Sequence, residues 1–141
     1  MPREEFGNEF ELAKYRLGVA KEDLETALDN LKANHLRAAN NRAYYAIYHA
    51  VTAVLALKQI AFKRHKDTIG YFNKEYIRTE IFPKEMGHRI SNAEEIRHDS
   101  DYDEFYIASK EETEKQIACA AELIRMVEEY IDSSAGRDNS K

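Results

Sequence analysis

Arg42, Tyr45 and His49 stand at i, i+3 and i+7 within the run Asn40-Asn41-Arg42-Ala43-Tyr44-Tyr45-Ala46-Ile47-Tyr48-His49-Ala50. If that run is helical, the three side chains share one stripe. The stripe then carries a fixed positive charge, an aromatic plate and a group that titrates near neutrality. Such a set can clamp a phosphate with the guanidinium, stack a nucleobase on the ring and move a proton through the imidazole. A structural reading competes with it. Tyr44, Tyr45 and Tyr48 would be large core residues with hydroxyls at the rim. Arg42 would pair with an acid of the first helix, and His49 would be a hydrogen-bonded core histidine.

A second cluster is Arg97-His98-Asp99-Ser100-Asp101-Tyr102-Asp103. It could bind a phosphate, or cut a ribose–phosphate bond with the adjacent 2′-hydroxyl as nucleophile. That reaction needs a base and a cation to hold the phosphate, and no metal. The competing reading is a polar break in which Asp side chains cap the next helix. The alternation Asp99, Asp101, Asp103 opens like a calcium loop, but Glu104 stands where the turn needs Gly and Lys110 where the bidentate acid belongs. His65 and His88 have no Cys or His at ligand spacing, so no zinc site is expected. There is no phosphate-binding Gly loop, nucleophile elbow or dinucleotide fingerprint. No cofactor is expected.

Helices must position these residues. Five Gly and two Pro in 141 residues leave little room for turns. Phe10, Ala13, Leu17, Ala20, Leu24, Ala27 and Leu31 alternate steps of three and four, which predicts a helix from Asn8 to Lys32. Asn30, Asn34 and His35 mark a short break. Leu36, Ala43, Ala50 and Leu57 form a row on a second helix, 36–58. Its alanines (39, 43, 46, 50, 53) keep it thin enough for a neighbour to approach closely. Two long helices joined this briefly should pack antiparallel.

Residues 63–67 read as a basic connection. A third helix over 66–79 presents Ile69, Phe72, Tyr76 and Ile77. Pro83 suits the first turn of a fourth helix carrying Met86, Ile90 and Ala93 and ending near Arg97, with 98–103 as a polar break. Ser109 and Glu112 have capping-box spacing for a last helix to Asp132. Residues 133–141 read as a disordered polar tail. The expected fold is an all-α, antiparallel bundle of four or five helices forming one domain, 1–132.

At 43% hydrophobic and 33% charged, the chain reads as a soluble protein. The single cysteine, Cys119, allows no internal disulfide and reads as small apolar filler. No run is apolar enough to span a membrane, and Met1-Pro2-Arg3-Glu4-Glu5 lacks a signal-peptide core, so a cytoplasmic location is expected. The net charge of −5 disfavours a simple nucleic-acid coat. Its distribution is uneven, however. From Lys58 to Arg89 there are eight Lys or Arg against four acids; from Glu94 to Asp132 there are thirteen acids against four bases. A basic face could meet phosphate, or both could be solvated helix faces.

The run Asn41 to Ala46 followed by Tyr48-His49-Ala50 resembles the second-helix signature of the HEPN superfamily, in its branch of small stand-alone prokaryotic proteins. Ala20-Lys21-Glu22-Asp23-Leu24 resembles that branch's first helix, and Leu36-Arg37-Ala38-Ala39 the lead into its second. Arg64-His65-Lys66 with Ile69, Phe72 and Asn73 is similar to its third. Pro83 to Gly87 and Arg97 to Tyr102 are similar to the segment before its last helix. The resemblance covers residues 10–132.

The resemblance implies an all-α bundle that dimerises, with sites near the dimer interface. It implies a metal-independent endoribonuclease built on an Arg and a His about four to six residues apart. It also implies pairing with a minimal nucleotidyltransferase, as a toxin–antitoxin or defence pair, in which the partner modifies a tyrosine beside the Arg–His motif. On this chain Arg97 matches the phosphate-contacting Arg and Tyr102 the modifiable tyrosine. Tyr102, Asp103 and Glu104 stand where the His is expected, and His98 is adjacent to Arg97. The candidate catalytic residues are therefore Arg97, His98 and Tyr102, with His98 or His49 moving the proton. The RNA- or nucleotide-binding candidates are Arg42, Tyr45, His49 and Asp101. The alternatives are a non-catalytic module that dimerises and docks a nucleotide or protein partner, and a helical dimer with no ligand.

Overall fold

A computed structural model describes residues 8–139, with side chains from 9 to 134. The N-terminal segment read above for a signal core lies outside them. The elements are α1 (Asn8–Lys32), α2 (Leu36–Ala56), α3 (His65–Phe72) continued by a π turn (Asn73–Ile77), α4 (Lys84–Tyr102) and α5 (Lys110–Asn139). There is no strand among the described residues. The fold is the expected all-α antiparallel bundle, with α2 at its centre packed on α1, α3, α4 and α5.

Small residues make that central position possible. Ala39, Ala43, Ala46, Ala50 and Ala53 are fully buried on α2, and Ala13, Ala20 and Ala27 are fully buried on α1. Two helices that meet through alanines approach closely, and larger side chains then fill the flanks. Those are Ile47, Val51, Val54 and Leu55 from α2, Met86 and Ile90 from α4, and Leu123, Val127 and Ile131 from α5. Each such burial contributes roughly 1.5–3 kcal/mol.

Two of the connections are closed by residues other than glycine in the left-handed region. Asn34 (φ 64°) ends α1, with its N–H donating to the Leu31 carbonyl and that of His35 to Asn30. Gln59 (φ 58°) closes the end of α2 in the same way, with Gln59 N–H on Ala56 and Ile60 N–H on Leu55. Both are Schellman closures. The expected 66–79 helix divides instead into α3 and the π turn, in which Arg78 N–H reaches Asn73 O at 2.8 Å. All four predicted apolar residues, Ile69, Phe72, Tyr76 and Ile77, are still buried.

Four expected boundaries shift. The second helix ends at Ala56 rather than 58. Pro83 is the N-cap of α4, with ψ 145°, rather than its first turn. The fourth helix does not stop at Arg97 but runs to Tyr102. Polar residues alone do not end a helix that is already propagating. The Arg97–Asp101 pair at i, i+4 and an Arg37 hydrogen bond to the Ser100 carbonyl hold its last turns. The expected break at 98–103 is therefore helical for most of its length. The helix of α5 likewise continues past Asp132 to Asn139, so residues 133–139 of the expected disordered tail are helical here; residues 140–141 lie outside the described ones. At its start Glu112 N–H donates to Ser109 Oγ at 3.0 Å, while the Glu112 carboxylate accepts from the Tyr106 hydroxyl rather than reaching back. Among the described residues, no helix is long and apolar enough to cross a membrane.

Candidate functional site

The α2 stripe forms as expected because 36–56 is one unbroken helix. Its partners come from three other helices. Asp23 of α1 accepts from Arg42 Nη1 at 3.0 Å through one oxygen and from His49 Nδ1 at 2.8 Å through the other. The residue is 8% exposed, so one nearly buried carboxylate ties both ends of the stripe. The pairing of Arg42 with an acid of the first helix is thus present, and Arg42 also donates to Asn41 Oδ1 at 3.1 Å. A carboxylate can only accept, so His49 presents Nδ1–H to it.

From α4, Arg97 Nη2 donates to the Tyr45 hydroxyl at 3.2 Å, and its guanidinium lies over the rings of Tyr44 (5.4 Å) and Tyr45 (5.8 Å). The Arg42 guanidinium lies 5.1 Å over the same Tyr45 ring. Burial opposes the charge on Arg97, yet Tyr45 and Asp101 outweigh it and hold the guanidinium more firmly protonated than usual. Arg97 Nε is 3.1 Å from Asp101 Oδ2, an ion pair without hydrogen-bond alignment.

From α3, His65 stacks on Tyr48 with centroids 3.9 Å apart, and its Nδ1 meets the Tyr44 hydroxyl at 3.0 Å. Burial, then the positive charge of Arg97 and His49, pushes His65 below its ordinary value. Burial, then the nearby Glu94 carboxylate, raises the Tyr44 phenol. Burial also raises Glu94, partly offset by Arg97 and Lys66. Tyr44, Tyr48 and His65 form a near-parallel pile, with Tyr45 edge-on to each.

The predicted residues divide into two groups. Arg42, Tyr45, His49, Arg97 and Asp101 are linked by the contacts above. Arg42 and Asp101 line one groove of about 660 Å³, large enough for a nucleotide, with Arg37, Asn41 and Ser100. His49 lines a neighbouring groove with Tyr15, Arg16, Tyr48 and Thr68. His98 and Tyr102 are not in the cluster. Their rings meet at a tilt, 4.7 Å apart, on a more exposed face of α4, and Tyr102 is 74% exposed. Helical geometry separates them: Arg97 and Asp101 share one face, while His98 and Tyr102 share another. His98 lines a third depression with Lys66, His88 and Glu94.

Asp23, His65 and Glu94 were not among the candidates. Asp23 had a signal. It falls between Ala20 and Ala27 on the inward stripe of α1, where an acid must find a partner. His65 had only its place in the Arg64-His65-Lys66 run that resembles the family's third helix, and Glu94 had no signal beyond its type. The calcium-like alternation 99–103 lies mostly on helix, and no group of three His, Cys, Asp or Glu among the described residues could hold a metal.

Fold and site define a class of small helical bundle whose second helix carries an arginine, tyrosines and a histidine, opposed by an arginine on the fourth. The sequence matches the HEPN domain over residues 13–130, and the chain belongs to that family. It is 32% identical over 113 residues to the "UPF0332 protein" of Thermotoga maritima, covering 80% of this chain and 86% of the relative. Two Methanocaldococcus jannaschii proteins named as candidate toxins are 28% identical over 126 residues (86% of each chain) and 31% over 100 residues (71% of this chain, 69% of the relative).

Proposed function

We propose that this protein is the toxin-like half of a pair with a small nucleotidyltransferase, and that it acts on single-stranded RNA at Arg97 without a metal. One observation carries this reading. Arg97, held on the hydroxyl of Tyr45 and over two tyrosine rings, supports a phosphate-binding role, and the half-buried ring of Tyr45 is the platform we assign to a base. The names of the two archaeal relatives support the toxin part. The exposure of Tyr102 supports its role as the tyrosine a partner modifies. The protein works as a homodimer in the cytoplasm.

Purified protein should cut single-stranded RNA in EDTA, and Arg97→Ala should abolish the cut. No cleavage by wild type at high concentration removes the ribonuclease reading. Co-expression with a small nucleotidyltransferase partner should add one AMP mass to a peptide containing Tyr102.

One observation favours a second reading, in which the bundle binds a nucleotide or protein without cleaving. Asp101 already neutralises Arg97, so a ligand must displace a carboxylate before it is held. Thermal shifts with AMP or ATP, set against RNA oligonucleotides, separate the two.

A further inference from the structure

The 97–104 segment holds no histidine at the expected distance from Arg97, and His98 lies on a different face of α4 from Arg97. We propose that the proton-transfer group is His49 of α2, and that Asp23 of α1 is its positioning residue. This rests on the ribonuclease reading above.

Three relationships support it. Asp23 Oδ2 accepts from His49 Nδ1 at 2.8 Å, which fixes the tautomer and leaves Nε2 as the ring's working nitrogen. Nε2 has no hydrogen-bond partner among the described residues, and the ring borders an open groove. Asp23 is itself immobilised, because its other oxygen is held by Arg42 at 3.0 Å and its side chain is nearly buried. A base and a phosphate-binding cation thus both lie by the ring of Tyr45, and a carboxylate from another helix orients the base. The ring centroids of Tyr45 and His49 are 6.1 Å apart, and the Arg97 guanidinium is 5.8 Å from Tyr45. His98, by contrast, has among the described residues only Tyr102 and a distant Asp99 carboxylate, 3.9 Å away, to orient it.

The step balances without a metal. His49 Nε2 takes the proton from a ribose 2′-hydroxyl, and the 2′-oxygen forms a bond to phosphorus while Arg97 holds the phosphate charge. The bond from phosphorus to the 5′-oxygen breaks, and that oxygen takes a proton from water. The hydroxide left behind recovers the proton from His49. The products are a 2′,3′-cyclic phosphate and a 5′-hydroxyl.

The test uses the full chain and a fluorescein-labelled single-stranded RNA in EDTA, with its all-DNA counterpart as the uncut control. His49→Ala should lower kcat about 100-fold or more, and added imidazole should restore part of it. Asp23→Asn should lower kcat with KM unchanged, and Asp23→Glu should recover part of the loss. A merely structural histidine would not answer to imidazole. If Asp23→Asn does not fold, His49→Ala with and without imidazole decides alone. Cleavage that survives His49→Ala, or a loss that imidazole does not touch, overturns this assignment and leaves the ribonuclease reading standing. No cleavage by wild type overturns both.

Discussion

Arg97 of α4 donates to the Tyr45 hydroxyl of α2 at 3.2 Å, and this bond aims the only arginine of α4 that lies over the α2 tyrosines. Tyr45 thus holds the Nη2 end of the guanidinium while Asp101 stands 3.1 Å from its Nε. Arg97→Lys is therefore expected to fail almost as completely as Arg97→Ala. A lysine offers a point charge and no planar fork to lie over the rings. RNA cleavage should drop roughly 100-fold or more in both variants; Arg97→Ala should also lower the melting temperature, since it removes the pair with Asp101, and Arg97→Lys should lower it less. Tyr45→Phe should cost less, since the ring platform survives. Activity retained in Arg97→Lys would show that charge alone suffices.

Asp23 bridges two groups on a neighbouring helix, so its removal orphans both. Asp23→Ala is expected to destabilise the fold by about 1–3 kcal/mol, since both partners are about one-third exposed and solvent screens part of the loss. A urea titration measures this. In a double-mutant cycle, Arg42→Ala on the Asp23→Ala background should cost less than on wild type. Additive losses would mean that the bridge contributes no coupling.

The two long helices were readable in the sequence because their periodicity is a property of single segments. The alanine row of α2 and the stripe of α1 state their buried faces outright. The site was only half readable. Arg42, Tyr45 and His49 share a helix, so spacing suffices. Asp23, His65 and Arg97 reach them from three other helices, and no local pattern encodes the register between helices. The 97–103 run looked like a break because its residues are polar, yet i, i+4 pairing and Arg37 carry the helix through it. Because the helix continues, Arg97 and Tyr102 point from different faces of α4. The π turn after Phe72 leaves no sequence mark either, since the same four apolar residues are buried in both geometries.

His65 supplies a pH signature. Its folded value lies below 6.5 through burial and the charge of Arg97 and His49. The unfolded chain therefore binds the proton more readily, and this contribution to stability is complete above about 6.5. It is lost as pH falls toward the folded value. Glu94 runs the other way: its raised value makes its contribution fade as pH rises above the ordinary carboxylate range. The clean observable is a difference. Melting curves of wild type minus His65→Asn should show wild type losing relative stability as pH drops below about 6.5. A pH-independent difference would contradict the environment assigned to His65.

Gln59 holds φ 58° at the end of α2 with its side chain exposed. A side chain in that region costs about 1–2 kcal/mol. The greater freedom of unfolded glycine returns part of this. Gln59→Gly should stabilise the fold by up to about 1 kcal/mol in urea, with no change in RNA cleavage. A loss of stability would mean that Gln59 makes contacts that outweigh the backbone strain.

Gly87 permits a different kind of close approach, between α4 and the π turn. A Cβ built there would lie 2.7 Å from Ile77 Cγ2 and 3.5 Å from its Cβ. Ile77 is β-branched and buried, so the offending methyl cannot swing aside. Gly87→Ala is expected to cost about 1–3 kcal/mol, despite alanine's better helix propensity. The second variant identifies the cause. Ile77→Leu moves the branch from Cβ to Cγ and removes the methyl at fault. Gly87→Ala with Ile77→Leu should therefore recover part of the loss, which a glycine needed only for flexibility would not do. Because α4 carries Arg97, the single variant should also weaken RNA cleavage, and the double variant should restore cleavage and stability together.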